Sequence, residues 1–165
     1  MPQNDQALLS RLKDSGLPFV VIGGVCVVYH GAPIATFDLD VCCPFGEENV
    51  LRIEAAVRDL HPYHRLTQNK LPLEMTRSAF GTLKNVYLQT DLGKLDCLSE
   101  ISGVGNFETV LRESVVAKFS YGEFRFLNLD SLIASKKAAN RDRDWAAVKQ
   151  LTAIRERKQQ QPDLF

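Results

Sequence analysis

Hydrophobic and polar residues alternate along this chain with two different periods, and their order predicts a mixed α/β protein. Several segments have an apolar residue at every third or fourth position, which is typical of amphipathic helices. Other segments alternate residue by residue or are continuously apolar, which is typical of strands. The first pattern predicts helices over 4–15, 25–31, 47–60, 107–113, 130–140 and 143–157. The second predicts strands over 17–24 and 36–43 and hairpins over 85–100 and 114–129.

These elements favour one α/β (α+β) domain over residues 1–165, built on a mixed, mostly antiparallel sheet with flanking helices. Its core is expected over residues 18–128, and a pair of C-terminal helices over 130–157. Residues 158–165 are expected to form a loose tail. The segment 61–82 has no clear period, and the sequence predicts that it is irregular.

The stretch TFDLDVCC, residues 36–43, places two carboxylates in an otherwise apolar strand. Side chains two positions apart on a strand share a face, so Asp38 and Asp40 are expected to lie close together. Like charges at this distance repel each other, and burial increases the repulsion. A solvated strand face explains the pair without any ligand. The alternative is a divalent cation between them, because Mg²⁺ prefers hard oxygen ligands.

A glycine pair precedes the two aspartates. Gly23 and Gly24 close a buried strand ahead of a short predicted helix, and thirteen residues separate Gly24 from Asp38. Glycines at such a turn let backbone N–H groups approach an anion, and a helix N-terminus favours negative charge. A glycine pair alone is common in turns. Followed by two carboxylates on one strand face, it indicates a phosphate site beside a metal site.

A third carboxylate would complete a centre for two metal ions. Asp96 is the best candidate, because Leu95 and Cys97 flank it on a predicted strand. Asp91 lies at the predicted hairpin turn, where aspartate is common for local reasons. Glu100 has fewer apolar neighbours. The two acidic strands are therefore expected to be adjacent in the sheet.

The two C-terminal helices carry charged residues on their apolar stripes. Lys136 follows Leu132 by four positions, and Asp144 lies on the apolar side of the next helix. Buried charges are costly unless they are paired or lie at a cleft. The two residues therefore form either a structural ion pair or a site in which Lys136 reaches a triphosphate. Trp145 is expected to anchor the core between these helices.

Composition restricts the classes of partner and the location. The formal net charge is zero, so the total charge gives no argument for a nucleic acid or membrane partner. No apolar run is long enough to span a membrane, and the N-terminus has no signal-peptide pattern. We therefore expect a cytoplasmic protein. The cysteines form no C-x-x-C pair and are expected to be buried free thiols: Cys26, Cys42, Cys43 and Cys97.

The stretch VIGGVCVVYHGAPIATFDLDVC resembles the signature of the DNA polymerase β-like nucleotidyltransferase superfamily, a glycine turn and a short helix before Asp-x-Asp. GKLDCL is similar to the third acidic strand of that superfamily. The segment LNLDSLIASKKAANRDRDWAAVKQL resembles the small bacterial branch related to AbiEii-type toxins. That branch carries Lys-x-x-x-x-Arg-x-x-Asp, matched by Lys136, Arg141 and Asp144. Ile34 stands where relatives in the branch often carry an arginine.

The resemblance implies a minimal nucleotidyltransferase fold and transfer of a nucleoside monophosphate from an NTP to an acceptor hydroxyl on RNA, tRNA, protein or a small molecule. It implies Mg²⁺ or Mn²⁺ as cofactor, held by the catalytic residues Asp38, Asp40 and Asp96. It also implies a role in a toxin–antitoxin pair, with an antitoxin protein as partner. The alternatives are a catalytically silent nucleotide-binding, regulatory or partner-binding domain of the same fold, and a structural partner in a toxin–antitoxin pair. The implied nucleotide contacts are Gly23, Gly24, Thr36, Lys136, Arg141 and Asp144.

Overall fold

The strands form one large mixed sheet and one small ribbon. The computed structural model describes residues 2–164, without the side chain of residue 164. The strands are β1 (Val20–Ile22), β2 (Asp38–Cys42), β3 (Tyr63–His64), β4 (Asn85–Thr90), β5 (Gly93–Leu98), β6 (Glu100–Ile101), β7 (Gly105–Asn106), β8 (Ser114–Phe119) and β9 (Gly122–Leu127). The sheet has the order β3-β4-β5-β2-β1-β9-β8, and β6 pairs with β7 separately. Only β1–β9 and β2–β5 are parallel among the described pairs, so the prediction of a mostly antiparallel mixed sheet is confirmed.

The helices follow the predicted order along the chain. They are α1 (Asp5–Asp14), α2 (Gly23–Tyr29), α3 (Glu47–Val57), α4 (Phe107–Arg112), α5 (Leu129–Ala139) and α6 (Asp142–Gln160). Asparagine caps three of them: the side-chain oxygens of Asn4, Asn106 and Asn128 accept hydrogen bonds from backbone N–H groups in the first turn. Each such cap contributes about 1 kcal/mol to helix stability. These caps explain why α1, α4 and α5 begin where they do.

Several segments differ from the sequence prediction. The predicted strand over 17–24 is shorter, because it ends at Ile22 and the two glycines begin α2. The helix α6 continues to Gln160, because residues 155–160 contain good helix formers and no glycine or proline, and Pro162 then ends it. A short 3-10 turn, Pro162–Leu164, follows, so most of the predicted loose tail is ordered. Residue 165 lies outside the described residues. The segment 61–82 is not wholly irregular, since it contains β3 and a 3-10 helix over Leu73–Ala79.

The core lies on the sheet and under the helices. All three residues of β1 are buried, and α1 buries Leu8, Leu9 and Leu12 where it packs against α3. The four cysteines are buried and free, as expected. Within residues 2–164, no helix is both long enough and apolar enough to cross a membrane.

The centre of the sheet positions the acidic residues. The strands β2 and β5 run parallel with Asp40 directly opposite Asp96, so the prediction that the two acidic strands are neighbours is confirmed. On the other side of β2 lies β1, where Ile22 is opposite Asp40. The helix α2 starts at Gly23, immediately after Ile22, and packs against β2. The glycine turn therefore lies beside the two acidic strands in the middle of the sheet.

Candidate active site

Three carboxylates converge where β2 and β5 pair. One oxygen from each of Asp38, Asp40 and Asp96 lies within 4.8 Å of the other two. Asp38 and Asp40 are partly exposed at the cavity, and Asp96 is buried. A set of carboxylate oxygens at this spacing suits a hard divalent cation such as Mg²⁺, which takes one or two carboxylates and keeps water and phosphate oxygens as its other ligands.

The crowding of these carboxylates affects their ionisation. Burial, together with the negative charges of Asp38 and Asp96, raises the pKa of Asp40 to about 7. Burial also raises the pKa of Asp96, although Arg65 acts in the opposite direction. A cation beside Asp40 would offset the repulsion from the negative charges of Asp38 and Asp96. In the absence of metal, the acidic group therefore retains a proton up to a pH of about 7.

The raised pKa of Asp40 predicts how the stability of the metal-free protein depends on pH. Between pH 3.8, the ordinary pKa of an aspartate, and a pH of about 7, Asp40 of the folded protein keeps a proton that the unfolded chain releases. The free energy of unfolding should therefore fall as the pH rises through this window. Thermal unfolding in a metal chelator measures the effect. Asp40→Asn, which cannot ionise, is the control and should lose this part of the pH dependence. Identical pH profiles for the two proteins would contradict the assignment.

Arg65 contacts the third carboxylate, and the sequence analysis did not identify it. Its guanidinium donates two hydrogen bonds to Asp96, one from Nη1 to Oδ1 and one from Nη2 to Oδ2 at 2.7 Å. The guanidinium carbon also lies 5.5 Å from the ring centroid of Tyr87, within cation–π range. Arg65 follows β3 directly, in the segment that has no clear period. No pattern in the sequence links it to Asp96.

The glycine turn packs tightly against the acidic strand. Gly23 has a φ of 67°, which residues with a side chain rarely adopt, and a Cβ there would lie 2.8 Å from Cγ of Asp40. A Cβ at Gly24 would lie 3.0 Å from Cγ2 of Thr36. Glycine is therefore required at position 23 for the close approach of this turn to Asp40, and a side chain at position 24 would have little room beside Thr36.

A second charged cluster comes from the two C-terminal helices. Asp144, only 1% exposed, lies 3.5 Å from Nζ of Lys136 and accepts hydrogen bonds from Nε and Nη2 of Arg141 at 2.6 and 3.3 Å. Burial alone would raise the pKa of Asp144, but the hydrogen bonds from Arg141 and the charge of Lys136 outweigh it and hold the pKa below its ordinary value. Asp144 is thus a buried anion with two cationic partners.

Both clusters line one cavity of about 830 Å³. The acidic group and Arg65 form one part of its wall, and the Lys136 cluster forms another. All the residues implied by the sequence resemblance line this cavity: Gly23, Gly24, Thr36, Asp38, Asp40, Asp96, Lys136, Arg141 and Asp144. Further lining residues that the sequence analysis did not single out are Phe37, Leu66, Asn85, Tyr87, Ser135 and Arg143.

The remaining candidates lie at the rim of this cavity or outside it. Asp91, at the turn between β4 and β5, accepts a hydrogen bond from His61 at 2.6 Å and is not in the acidic group. Glu100 lines the cavity but is exposed. Ile34 packs against the core. The expectation that Trp145 anchors the core is wrong: the residue is 47% exposed, and its indole N–H donates to Asn140 at 2.7 Å.

Comparison with known proteins gives structural matches. No protein family and no curated protein match the sequence. The lincosamide antibiotic adenylyltransferase LnuA, solved with lincomycin bound, has a TM-score of 0.63 at 11% identity, covering 93% of this chain and 99% of LnuA. ANT(2")-Ia in complex with adenylyl-2"-tobramycin has a TM-score of 0.56 at 14% identity, covering 93% and 95%.

A third solved structure is an antigenic nucleotidyltransferase-like protein from Paracoccidioides brasiliensis. It has a TM-score of 0.55 at 8% identity, covering 91% of this chain and 73% of that protein. None of these three is named as an AbiEii-type toxin, so membership of that branch stays a prediction. At these identities the comparison establishes the architecture and not the substrate. The chain has the fold of the nucleotidyltransferases.

Proposed function

We propose that this protein is a metal-dependent nucleotidyltransferase that moves a nucleoside monophosphate from an NTP to an acceptor hydroxyl. The observation that carries the proposal is the convergence of Asp38, Asp40 and Asp96 in a cavity that also contains the Lys136 cluster. Acidic residues suit a metal–triphosphate complex, and basic residues on another part of the wall suit its phosphate charge. The fold is one in which nucleotidyl transfer is known.

Asp38 and Asp40 would hold Mg²⁺ or Mn²⁺ in this reaction. When bound, the ion neutralises phosphate charge and polarises phosphoryl oxygens. The two aspartates are rigidly supported for this role, because β2 lies between β1 and β5 and the glycine turn packs against Asp40. A fixed position matters because binding groups that need no reorganisation lower the barrier most effectively.

Lys136 and Arg141 are proposed to contact the triphosphate. Lys136 lines the cavity with 15% of its side chain exposed, and Arg141 is more accessible. Asp144 would orient both cations, since it contacts each of them from a buried position. The Gly23–Gly24 turn and Thr36, which line the same cavity, complete the proposed nucleotide contacts.

Asp96 is proposed to act at the acceptor end of the reaction. There Asp96 would accept the proton of the acceptor hydroxyl as its oxygen forms a bond to the α-phosphorus. The bond from that phosphorus to the bridging oxygen of the β-phosphate breaks, and pyrophosphate leaves. The wall near Asp96 includes Leu66, Asn85 and Tyr87, a mixture of apolar and polar groups. Such a wall suits RNA or tRNA ends, protein hydroxyls and small hydroxylated molecules such as the antibiotics bound to the similar structures. The toxin role and antitoxin partner remain predictions from the sequence resemblance.

The test is transfer of label from each of the four α-³²P-labelled NTPs, with Mg²⁺ or Mn²⁺, to three acceptor pools: total tRNA, proteins of a cell extract, and a mixture of aminoglycosides and lincosamides. We expect label on one pool, with pyrophosphate released in equal amount. NTP binding without pyrophosphate release in any pool would favour the alternative, a catalytically silent nucleotide-binding domain. The sequence feature that suggests this alternative is Ile34, which stands where relatives of the resembled branch often carry an arginine.

A further inference from the structure

We propose that Arg65 occupies the position of a second metal ion, so that the acidic group binds a single divalent cation, at Asp38 and Asp40. This inference rests on the proposed function, because it concerns the metal centre of the same site. It assigns to Arg65 a positioning role that acts through Asp96. Asp96 then remains a hydrogen-bonding carboxylate and is not a metal ligand.

The contact between Arg65 and Asp96 involves both oxygens of the carboxylate. The two guanidinium nitrogens Nη1 and Nη2 each donate to a different oxygen of Asp96. Such bidentate pairs are among the strongest charge-assisted hydrogen bonds, because the planar guanidinium matches the carboxylate geometry. The pair is poorly solvated, with 19% of the Arg65 side chain and 7% of the Asp96 side chain exposed. Solvent therefore screens this ion pair only weakly.

The surrounding sheet holds Arg65 in this position. Its backbone N–H donates to the carbonyl oxygen of Tyr87 at 3.0 Å, which fixes the end of β3 against β4. Tyr87 lies directly opposite Asp96 in the pairing of β4 with β5. The Tyr87 ring also lies within cation–π distance of the guanidinium. Arg65 is thus anchored next to its carboxylate by the same residue that faces that carboxylate across the sheet.

The charges also favour one divalent cation. Three carboxylates carry three negative charges, which one guanidinium and one divalent ion neutralise in the absence of nucleotide. A second ion at Asp96 would have to share or displace the oxygens that already accept both hydrogen bonds from Arg65. It would also leave a desolvated guanidinium beside a new double positive charge, which is strongly unfavourable. Asp38 and Asp40 have no such cation hydrogen-bonded to them among the described contacts.

The experiment counts bound Mn²⁺ per chain from the EPR signal of free Mn²⁺, using the full chain and Mn²⁺ alone. We expect wild type to bind one Mn²⁺ and Arg65→Met to bind two, because Asp96 becomes available. The matched control is Arg77→Met, which removes a similar guanidinium–carboxylate pair, with buried Glu54, outside the cavity. That variant should still bind one Mn²⁺, so a general loss of stability cannot explain the doubled stoichiometry.

Asp96→Asn gives an answer that does not depend on how well Arg65→Met folds. It should still bind one Mn²⁺, because Asp96 is not a ligand, although more weakly than wild type, since one negative charge beside the ion is removed. Two Mn²⁺ per wild-type chain, one per folded Arg65→Met chain, or loss of the single ion in Asp96→Asn would each overturn the inference. Asp40→Asn separates the two proposals. If this variant loses the ion, the proposed metal site is supported independently of the role of Arg65. If it retains the ion, both the proposed metal site and the inference about Arg65 are refuted.

Discussion

Asparagine at both Asp38 and Asp40 is expected to reduce nucleotidyl transfer by at least roughly a thousandfold, because metal-assisted charge stabilisation contributes several kcal/mol to the transition state. The same double variant should lose the increase in melting temperature that Mg²⁺ or Mn²⁺ gives wild type. In a metal chelator near neutral pH it should be more stable than wild type, since the repulsion between the two carboxylates is gone. Transfer of α-³²P label and thermal unfolding with and without Mn²⁺ measure these effects.

Asp91→Asn is the matched control for that experiment. Asp91 is an aspartate at the turn between β4 and β5, but it pairs with exposed His61 and lies outside the acidic group. Its variant should keep both transfer and the metal-induced shift in melting temperature. A double variant of Asp38 and Asp40 that still responds to Mn²⁺ as wild type does would refute the assignment of the metal site.

Lys136→Met is expected to weaken nucleotide binding with little loss of stability, whereas Asp144→Leu is expected to be strongly destabilising. Asp144 keeps its hydrogen bonds to Arg141 when Lys136 is removed, so Lys136→Met should change the free energy of unfolding by no more than about 1 kcal/mol. It should weaken NTP binding by roughly tenfold or more, as expected for the loss of a charge-assisted phosphate contact. Asp144→Leu leaves the cations without their buried anion and should cost roughly 3–5 kcal/mol.

Urea unfolding beside titration with each NTP in Mg²⁺ measures both quantities. Lys137→Met is the control, because Lys137 is the next residue on α5 but is exposed and does not line the cavity. It should affect neither stability nor NTP binding. If Lys136→Met is strongly destabilised yet binds NTP normally, Lys136 is only the partner of a structural ion pair.

Much of the candidate site follows from local sequence patterns. Alternation with a period of two is enough to place Asp38 and Asp40 on one strand face, and apolar neighbours are enough to single out Asp96. The helical period likewise directs Lys136 and Asp144 inward. Each of these inferences needs only a few neighbouring residues. These residues all line one cavity, in agreement with the resemblance that connects them.

The features that the sequence did not predict depend on contacts across the fold. β3 has only two residues, too few for a period, so nothing indicated that Arg65 would reach Asp96. The error at Trp145 has a related cause. An aromatic residue near an apolar stripe is usually buried, but Trp145 lies in the first turn of α6, where its indole bonds to Asn140 just outside the helix. The hydrophobic period of a sequence predicts which side of a helix is buried. It does not predict whether the residues at the end of the helix are covered by the rest of the fold.

The parallel pairing of β2 with β5 has a consequence for how the protein folds. The hairpins β4–β5 and β8–β9 join neighbouring segments, whereas β2 and β5 are separated by α3 and the whole segment up to β4. Closing such a long loop has an entropic cost that local hairpins largely avoid, so long-range strand pairs tend to form late. Asp40 and Asp96 meet only through this late pairing. A nascent or partly folded chain therefore lacks the complete acidic group, and with it the arrangement of carboxylates that the proposed transfer reaction needs.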